Sequence, residues 1–328
     1  MLYRLLKFPA QIVLHLFCRR IQINAPGALN SRGPLLIACN HPNSFLDAII
    51  LCTLFKQPVY SLARGDVFKN KWVAFILKSL YIFPVYRTSE GVENLEHNYT
   101  TFNACIEIFK RNGIVLIFSE GLCINEWHLR PLKKGTARLA INSWKQNIPL
   151  KVMPVGLNYS SFRYFGKNIH IHFEDPITST GIPLYESEGK AIQDFNKKLY
   201  HALSQSVYEI NEKDYVSRQQ LFNTEHPLFV KAALAIPALL GWLIHLPLYV
   251  SALFLIQKRF AKSGHFDSIL VGLLFFIYPL YQLLVFTLFF ILTHSGWSFA
   301  LFPLMPFCAW AWLQLRVMVP GKYKKAPH

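Results

Sequence analysis

The sequence predicts an α/β domain with a largely parallel central sheet, joined to a C-terminal hydrophobic region of transmembrane helices. Three observations predict it. Between residues 30 and 228, short β-branched or aromatic runs bounded by Gly, Pro or Asn alternate with helical patterns, the order that builds parallel βαβ units. Beyond His226-Pro227 charge thins out: residues 229–328 hold 8 Lys+Arg and a single acid, Asp267, against 26 and 17 in residues 1–228. The whole 328-residue chain is 52% hydrophobic and only 16% charged, where a soluble domain carries about a quarter charged residues. That balance excludes intrinsic disorder, because so apolar a chain can offset its ordering entropy by burial. It also argues against an ordinary cytosolic enzyme.

The chain divides into residues 1–29, 30–228 and 229–328. The first of these opens with an apolar run after Arg4 and Lys7 that looks like a secretory leader. Arg19 and Arg20 stand where small cleavage-site residues are expected, and Pro9 and His15 interrupt the run. An interfacial, membrane-associated helix with its arginines near anionic headgroups fits better. In the middle segment, Pro34–Cys39, Pro58–Ala63, Ile82–Arg87, Ile114–Glu120 and Leu150–Asn158 read as buried strands. Asp66–Leu80, Gly91–Arg111, Thr136–Gln146 and Glu186–Glu212 read as helices.

In the last segment, 232–256 and 269–292 are each long enough to cross a hydrocarbon core of about 30 Å, and 299–315, holding Pro303 and Pro306, is borderline. Three full crossings would put Lys258, Arg259 and Lys262 on the same side as Lys322, Lys324 and Lys325, opposite a cytosolic domain and against the positive-inside rule. The rule is kept if the first stretch, carrying Pro237 and Pro247, is re-entrant. The other two then form a hairpin turning at His294-Ser295-Gly296. The expectation is an integral membrane protein with its catalytic domain on the cytosolic face.

Ligands in open α/β sheets lie at the carboxyl ends of strands, so candidate residues are sought there. The first strand delivers Asn40-His41-Pro42-Asn43-Ser44-Phe45-Leu46-Asp47. A carboxylate that holds the Nδ1–H of His41 leaves Nε2 free to take a proton from a hydroxyl. Ser44-x-x-Asp47 equally fits a helix-start capping box, in which Asp47 serves only backbone N–H groups. Arg87 at the end of the third strand has the planar fork that chelates phosphate. The fourth strand ends in Ser119-Glu120-Gly121, and Arg130, Lys133 and Lys134 precede the next helix. Glycine there admits close approach of a ligand to backbone, and the cations supply positive charge. The six cysteines show no paired or metal-ligand spacing, so neither a disulfide framework nor a metal site is expected.

Taken in order, Asn40-His41…Asp47, Phe83-Pro84-Val85-Tyr86-Arg87, Phe118-Ser119-Glu120-Gly121 and Val152-Met153-Pro154-Val155-Gly156 resemble the four successive blocks of the glycerophospholipid acyltransferase family, whose members include lysophosphatidic acid and glycerol-3-phosphate acyltransferases. The resemblance covers roughly residues 20–210. It implies that His41 is the general base and Asp47 its orienting partner, with no covalent acyl-enzyme. Arg87, Glu120 and Gly121 would position the acceptor, and the block around Pro154 would shape the acyl-donor side. Two departures stand out. Five residues, not four, separate His41 from Asp47, so the turn must bulge for the two to meet. Leu122-Cys123 replace the Thr-Arg that usually follows the third block, which leaves phosphate binding to Arg130, Lys133 or Lys134.

The expected function is therefore membrane-bound O-acyl transfer in phospholipid biosynthesis, from acyl-CoA or acyl carrier protein to the hydroxyl of lysophosphatidate, glycerol-3-phosphate or a related lyso-lipid. The thioester is a co-substrate, and no cofactor or metal is expected. The formal net charge of +16 suits both an anionic leaflet and an anionic donor. A membrane-anchored thioesterase or hydrolase could use the same pair with water, though no Gly-x-Ser-x-Gly elbow is present. An acyltransferase for a non-phosphate lipid acceptor and a non-catalytic lipid-binding protein are the other readings. No nucleic-acid-binding motif accompanies the charge.

Overall fold

The computed structural model describes residues 2–86, 96–184, 187–260 and 264–316. Arg87, the start of the helix expected from Gly91, and the basic residues Lys262, Lys322, Lys324 and Lys325 lie outside them. Seven strands form one sheet: β1 (Cys18–Ile23), β2 (Leu35–Cys39), β3 (Val59–Arg64), β4 (Ile82–Val85), β5 (Ile114–Phe118), β6 (Lys151–Tyr159) and β7 (Lys167–Phe173), in the order β1-β7-β6-β2-β5-β3-β4. The five strands from β6 to β4 are mutually parallel, β7 pairs antiparallel with β6, and β1 pairs parallel with β7. Strand β2 sits at the centre and all five of its residues are buried. Its alternate side chains enter two different cores, Leu35, Ile37 and Cys39 on one face and Leu36 and Ala38 on the other.

Helices cover both faces. On one lie α4 (Glu96–Lys110), α5 (Lys134–Lys145) and α6 (Glu188–Ser206), packed through Phe109, Leu139, Trp144, Phe195 and Leu199. On the other lie α1 (Leu2–Phe17), α2 (Phe45–Leu54) and the inner ends of α8 (Leu228–Phe260) and α9 (Phe266–Thr293), through Leu14, Phe17, Leu51, Ile256 and Leu270. The short α3 (Lys71–Ser79) and α7 (Tyr215–Phe222) and the last helix, α10 (Leu301–Leu315), complete the chain.

Four features depart from the sequence expectations. The helix expected over residues 1–29 stops at Phe17, because Arg19-Arg20-Ile21-Gln22-Ile23 alternates with period 2 and pairs with β7. Strand β7 was not anticipated, since three of its residues, Lys167, Asn168 and His170, are polar yet buried. Helix α2 follows β2 after the turn of residues 40–44, where no helix was expected. The helix expected over Glu186–Glu212 ends at Ser206, where Tyr208 N–H donates to Asn158 Oδ1 (2.8 Å) and Ile210 N–H to the Trp127 carbonyl (2.8 Å), bonds that replace the next helical turn.

Helices α8, α9 and the stretch 296–315 are each long and apolar enough to cross a membrane. Helices α9 and α10 run antiparallel, with Gln282 donating to the Phe302 carbonyl and Phe286 packing on Phe299 and Phe302. Pro237 and Pro247 lie inside α8 without ending it. His226, just before α8, bonds Gln314, and Tyr249, well along it, packs on Trp312, so two separated parts of this segment meet the same end of α10. That end, with Arg316 bonded to the Phe165 carbonyl, abuts the α/β domain.

Candidate active site

Strand β2 ends at Cys39 and the chain turns across the carboxyl edge of the sheet. His41 Nδ1 lies 2.9 Å from Asp47 Oδ2. Because Asp47 is fully buried and accepts from every neighbour, the proton of this bond belongs to Nδ1, and Nε2 is the nitrogen available to a substrate. Asp47 Oδ2 also accepts from the Asn43 N–H (2.8 Å), and Oδ1 accepts from the Tyr159 hydroxyl (2.6 Å). Burial and the adjacent Asp47 charge hold the Tyr159 phenol well above its ordinary value, so it stays a donor. The imidazole stacks on Phe118, with ring centroids 3.8 Å apart and planes 11° from parallel.

The five-residue spacing is accommodated by a bulge at Ser44, whose φ of 57° is unusual for a residue with a Cβ. The capping-box alternative is not realised. Ser44 N–H donates to Cys123 Sγ (3.0 Å), not to Asp47, and the Ser44 hydroxyl meets His265 Nδ1. The two departures from the family pattern are thus joined, since Cys123 braces the residue that the longer turn adds.

Glu120 is buried beneath this loop. Its Oε2 accepts from the His41 N–H (2.8 Å) and its Oε1 from the Arg130 N–H (2.9 Å). Burial raises its pKa, and those two backbone bonds oppose the rise. Both carboxylate oxygens are therefore engaged in fixing the backbone that carries the histidine. Gly121 takes φ 66°, and a Cβ there would come within 2.9 Å of Lys133 Cγ. Arg130 turns its guanidinium to Glu126 (3.3 Å). Arg87 lies outside the described residues.

A groove of about 1470 Å³ opens over the carboxyl ends of β2, β5 and β3. His41, Phe118 and Gly121 line its floor, Lys133, Lys134 and Arg138 one part of its wall, and Arg64, Tyr86 and His265 another. The structure thus brings His41, Asp47, Glu120, Gly121, Lys133 and Lys134 together, with Arg130 outside the groove. It adds Tyr159, Phe118 and His265. Tyr159 lies one residue past the expected end of its strand, and His265 comes from the hydrophobic region; neither carries a signal in spacing. The block around Pro154 is buried within the sheet, Pro154 facing Ala38 of β2. Among the described residues no group of three or more His, Cys, Asp and Glu could hold a metal.

Residues 20–158 match the family model described as Acyltransferase. A stretch of 106 residues is 30% identical to a Bacillus subtilis (strain 168) protein named 1-acyl-sn-glycerol-3-phosphate acyltransferase, covering 32% of this chain and 48% of that one, so the match spans about half the relative's length. The crystal structure of the 1-acyl-sn-glycerophosphate acyltransferase PlsC from Thermotoga maritima superposes with a TM-score of 0.45 at 13% identity, over 68% of this chain and 81% of that one. The block order of the sequence and a His–Asp pair at the edge of the sheet agree with the similarity of residues 20–158 to the acyltransferase family.

Proposed function

We propose that this protein is a membrane-bound O-acyltransferase that moves a fatty acyl group from a thioester, acyl-CoA or acyl carrier protein, to the hydroxyl of lysophosphatidate, glycerol-3-phosphate or a related lyso-lipid. The observation that carries the proposal is the His41–Asp47 pair, hydrogen-bonded at 2.9 Å and open to a groove walled by Lys133 and Lys134. In this reading Nε2 of His41 removes the acceptor's hydroxyl proton as its oxygen attacks the thioester carbonyl. The new C–O bond forms, the C–S bond breaks as the tetrahedral species collapses, and the thiolate leaves with the proton His41 took. Asp47 stabilises the imidazolium between the two steps. Lys133, Lys134 and Arg138 are available to an anionic acceptor or donor where the family's usual arginine is absent. The groove exceeds the 300–1,000 Å³ of an ordinary small-molecule pocket, which suits two large substrates. The apolar helices support a bilayer location, and the basic residues Lys258, Arg259 and Arg316 near the domain end of those helices favour the cytosolic face for the domain.

The test is an assay of purified protein in lipid with acyl-CoA or acyl carrier protein donors against glycerol-3-phosphate, lysophosphatidate and non-phosphate acceptors. His41→Ala is expected to abolish transfer, and retained activity would refute the base assignment. Free fatty acid in place of acylated lipid would establish a hydrolase instead.

A further inference from the structure

The almost acid-free C-terminal third of the chain contains one carboxylate, and it is aimed at the catalytic loop. Asp267, in the first turn of α9, is buried and accepts from Asn43 Nδ2 (2.8 Å), the Arg163 N–H (3.0 Å) and Lys167 Nζ, itself fully buried. Asn43 therefore bonds two carboxylates at once, Asp267 through its side chain and Asp47 through its backbone N–H at 2.8 Å. The neighbours of Asp267 hold the same loop. Ser268 Oγ accepts from the Leu46 N–H (3.0 Å) and His265 meets the Ser44 hydroxyl, at the residue whose backbone is in the sparsely populated left-handed region. Lys167 lies 5.8 Å from the centroid of the ring of Tyr159, whose hydroxyl is a third donor to Asp47.

We propose that Asp267 is a positioning residue for the His41–Asp47 pair. Through Asn43 it ties the bulged catalytic loop to the start of the apolar helix α9. An ion pair that served packing alone would be complete with Lys167 and the Arg163 N–H, and the bond to Asn43 reaches beyond both into the loop. The inference rests on the acyltransferase reading for its kinetic consequence and extends it to a part of the chain outside the matched family domain. It also gives the fifth residue of the His41–Asp47 spacing a purpose, since the bulge presents Asn43 to α9.

The test uses the full chain in lipid nanodiscs, with acyl-CoA and lysophosphatidate. Three variants are compared: Asn43→Ala, which leaves the buried ion pair intact; Lys167→Met with Asp267→Leu, which replaces that pair by apolar residues of similar size, a change buried pairs often tolerate; and all three substitutions together. The expected result is a fall in kcat of about 10-fold or more in each of the first two, no further fall in the third, and KM for both substrates within about 3-fold. Amide hydrogen exchange over residues 40–47 should rise in all three. Wild-type kcat in either of the first two variants would overturn the proposal, as would losses that multiply in the third or unchanged exchange in the loop. If the double substitution does not fold, Asn43→Ala still decides. If the wild-type protein transfers no acyl group to any acceptor, the acyltransferase reading fails, while the exchange comparison still reports whether Asp267 holds the loop.

Discussion

Asp47 has two oxygens and three donors, and that ratio sets what each neighbour is for. A carboxylate with no solvent contact is costly to bury unless its lone pairs are met, and here His41, the Asn43 N–H and Tyr159 meet them. Removing the Tyr159 hydroxyl leaves one oxygen of a buried anion unserved, a loss of about 1.5–3 kcal/mol for a bond to a charged group. Tyr159→Phe is accordingly expected to lower kcat about 10-fold or more while the ring keeps its packing on Phe162 and Lys167. A steady-state assay beside a melting curve checks it; unchanged kcat would show that Asp47 does not need the third donor. Glu120 obeys the same accounting differently. Glu120→Gln offers one acceptor and an NH2 to two backbone N–H groups, so one N–H is orphaned, and a destabilisation of about 1–3 kcal/mol, read by denaturation, is expected. The His41–Asp47 pair was legible in the sequence because its two members lie six positions apart. Tyr159, 112 positions from Asp47, is brought in by the parallel pairing of β6 with β2 and leaves no local trace. Glu120 was legible as a site residue but its task was not, because the N–H groups it accepts belong to backbone.

Strand β7 shows why an element rich in polar residues can still belong to the interior. His170 is buried on it with Nδ1 2.9 Å from the Tyr208 hydroxyl, and His172 faces the same hydroxyl at 3.2 Å. Burial first, then the neighbouring His172, lowers the His170 pKa from 6.5 to about 4. The folded form therefore stays neutral between about pH 6.5 and 4 while the unfolded chain takes up a proton. Stability from this group is complete above pH 6.5 and is lost as pH falls toward 4. The melting midpoint should drop through that window, and His170→Asn, which keeps a polar atom near the Nδ1 position, should flatten the slope. An identical slope in the variant would assign the acid sensitivity to other groups. Hydropathy patterns find strands whose buried side chains are apolar, so β2 and β5 were visible and β7, with Lys167, Asn168 and His170 inside, was not. The opposite anomaly occurs on α3, where Trp72 is 79% and Phe75 67% exposed beside Lys71 and Lys69. An apolar face flanked by lysines and following Asp66 and Val67 at the groove wall suits an anionic bilayer surface. A nitroxide at position 75 should report contact with lipid acyl chains; full accessibility to a water-soluble relaxation agent would exclude it.

At the scale of the whole molecule, the long apolar helices act as more than a tether, because their inner ends are part of the catalytic domain's core. Ala252 and Ile256 of α8 and Phe266, Leu270 and Val271 of α9 are buried in the same cluster as Leu35, Ile37, Leu46 and Leu51. At about 1.5–3 kcal/mol for a large apolar side chain, the four largest of them contribute roughly 6–12 kcal/mol, comparable to the whole stability of a typical domain. Removing them would in addition leave the Lys167 ammonium buried against Phe17 and Tyr159 without its counter-ion, and burial of an unpaired charge is costlier than loss of apolar contact. A chain ending at residue 227 is therefore expected to be insoluble or unfolded, and without activity even when detergent supplies a surface. A simple anchored enzyme would behave in the opposite way, its severed domain remaining folded and turning over soluble thioester. Expression of residues 1–227 with and without residues 228–328 supplied as a separate chain distinguishes the two arrangements. Recovery of a cooperative melting transition and of acyl transfer only when both pieces are present would show that α8 and α9 complete the domain. A soluble, cooperatively folding and active 1–227 fragment would show that the helices hold the enzyme on the membrane and nothing more.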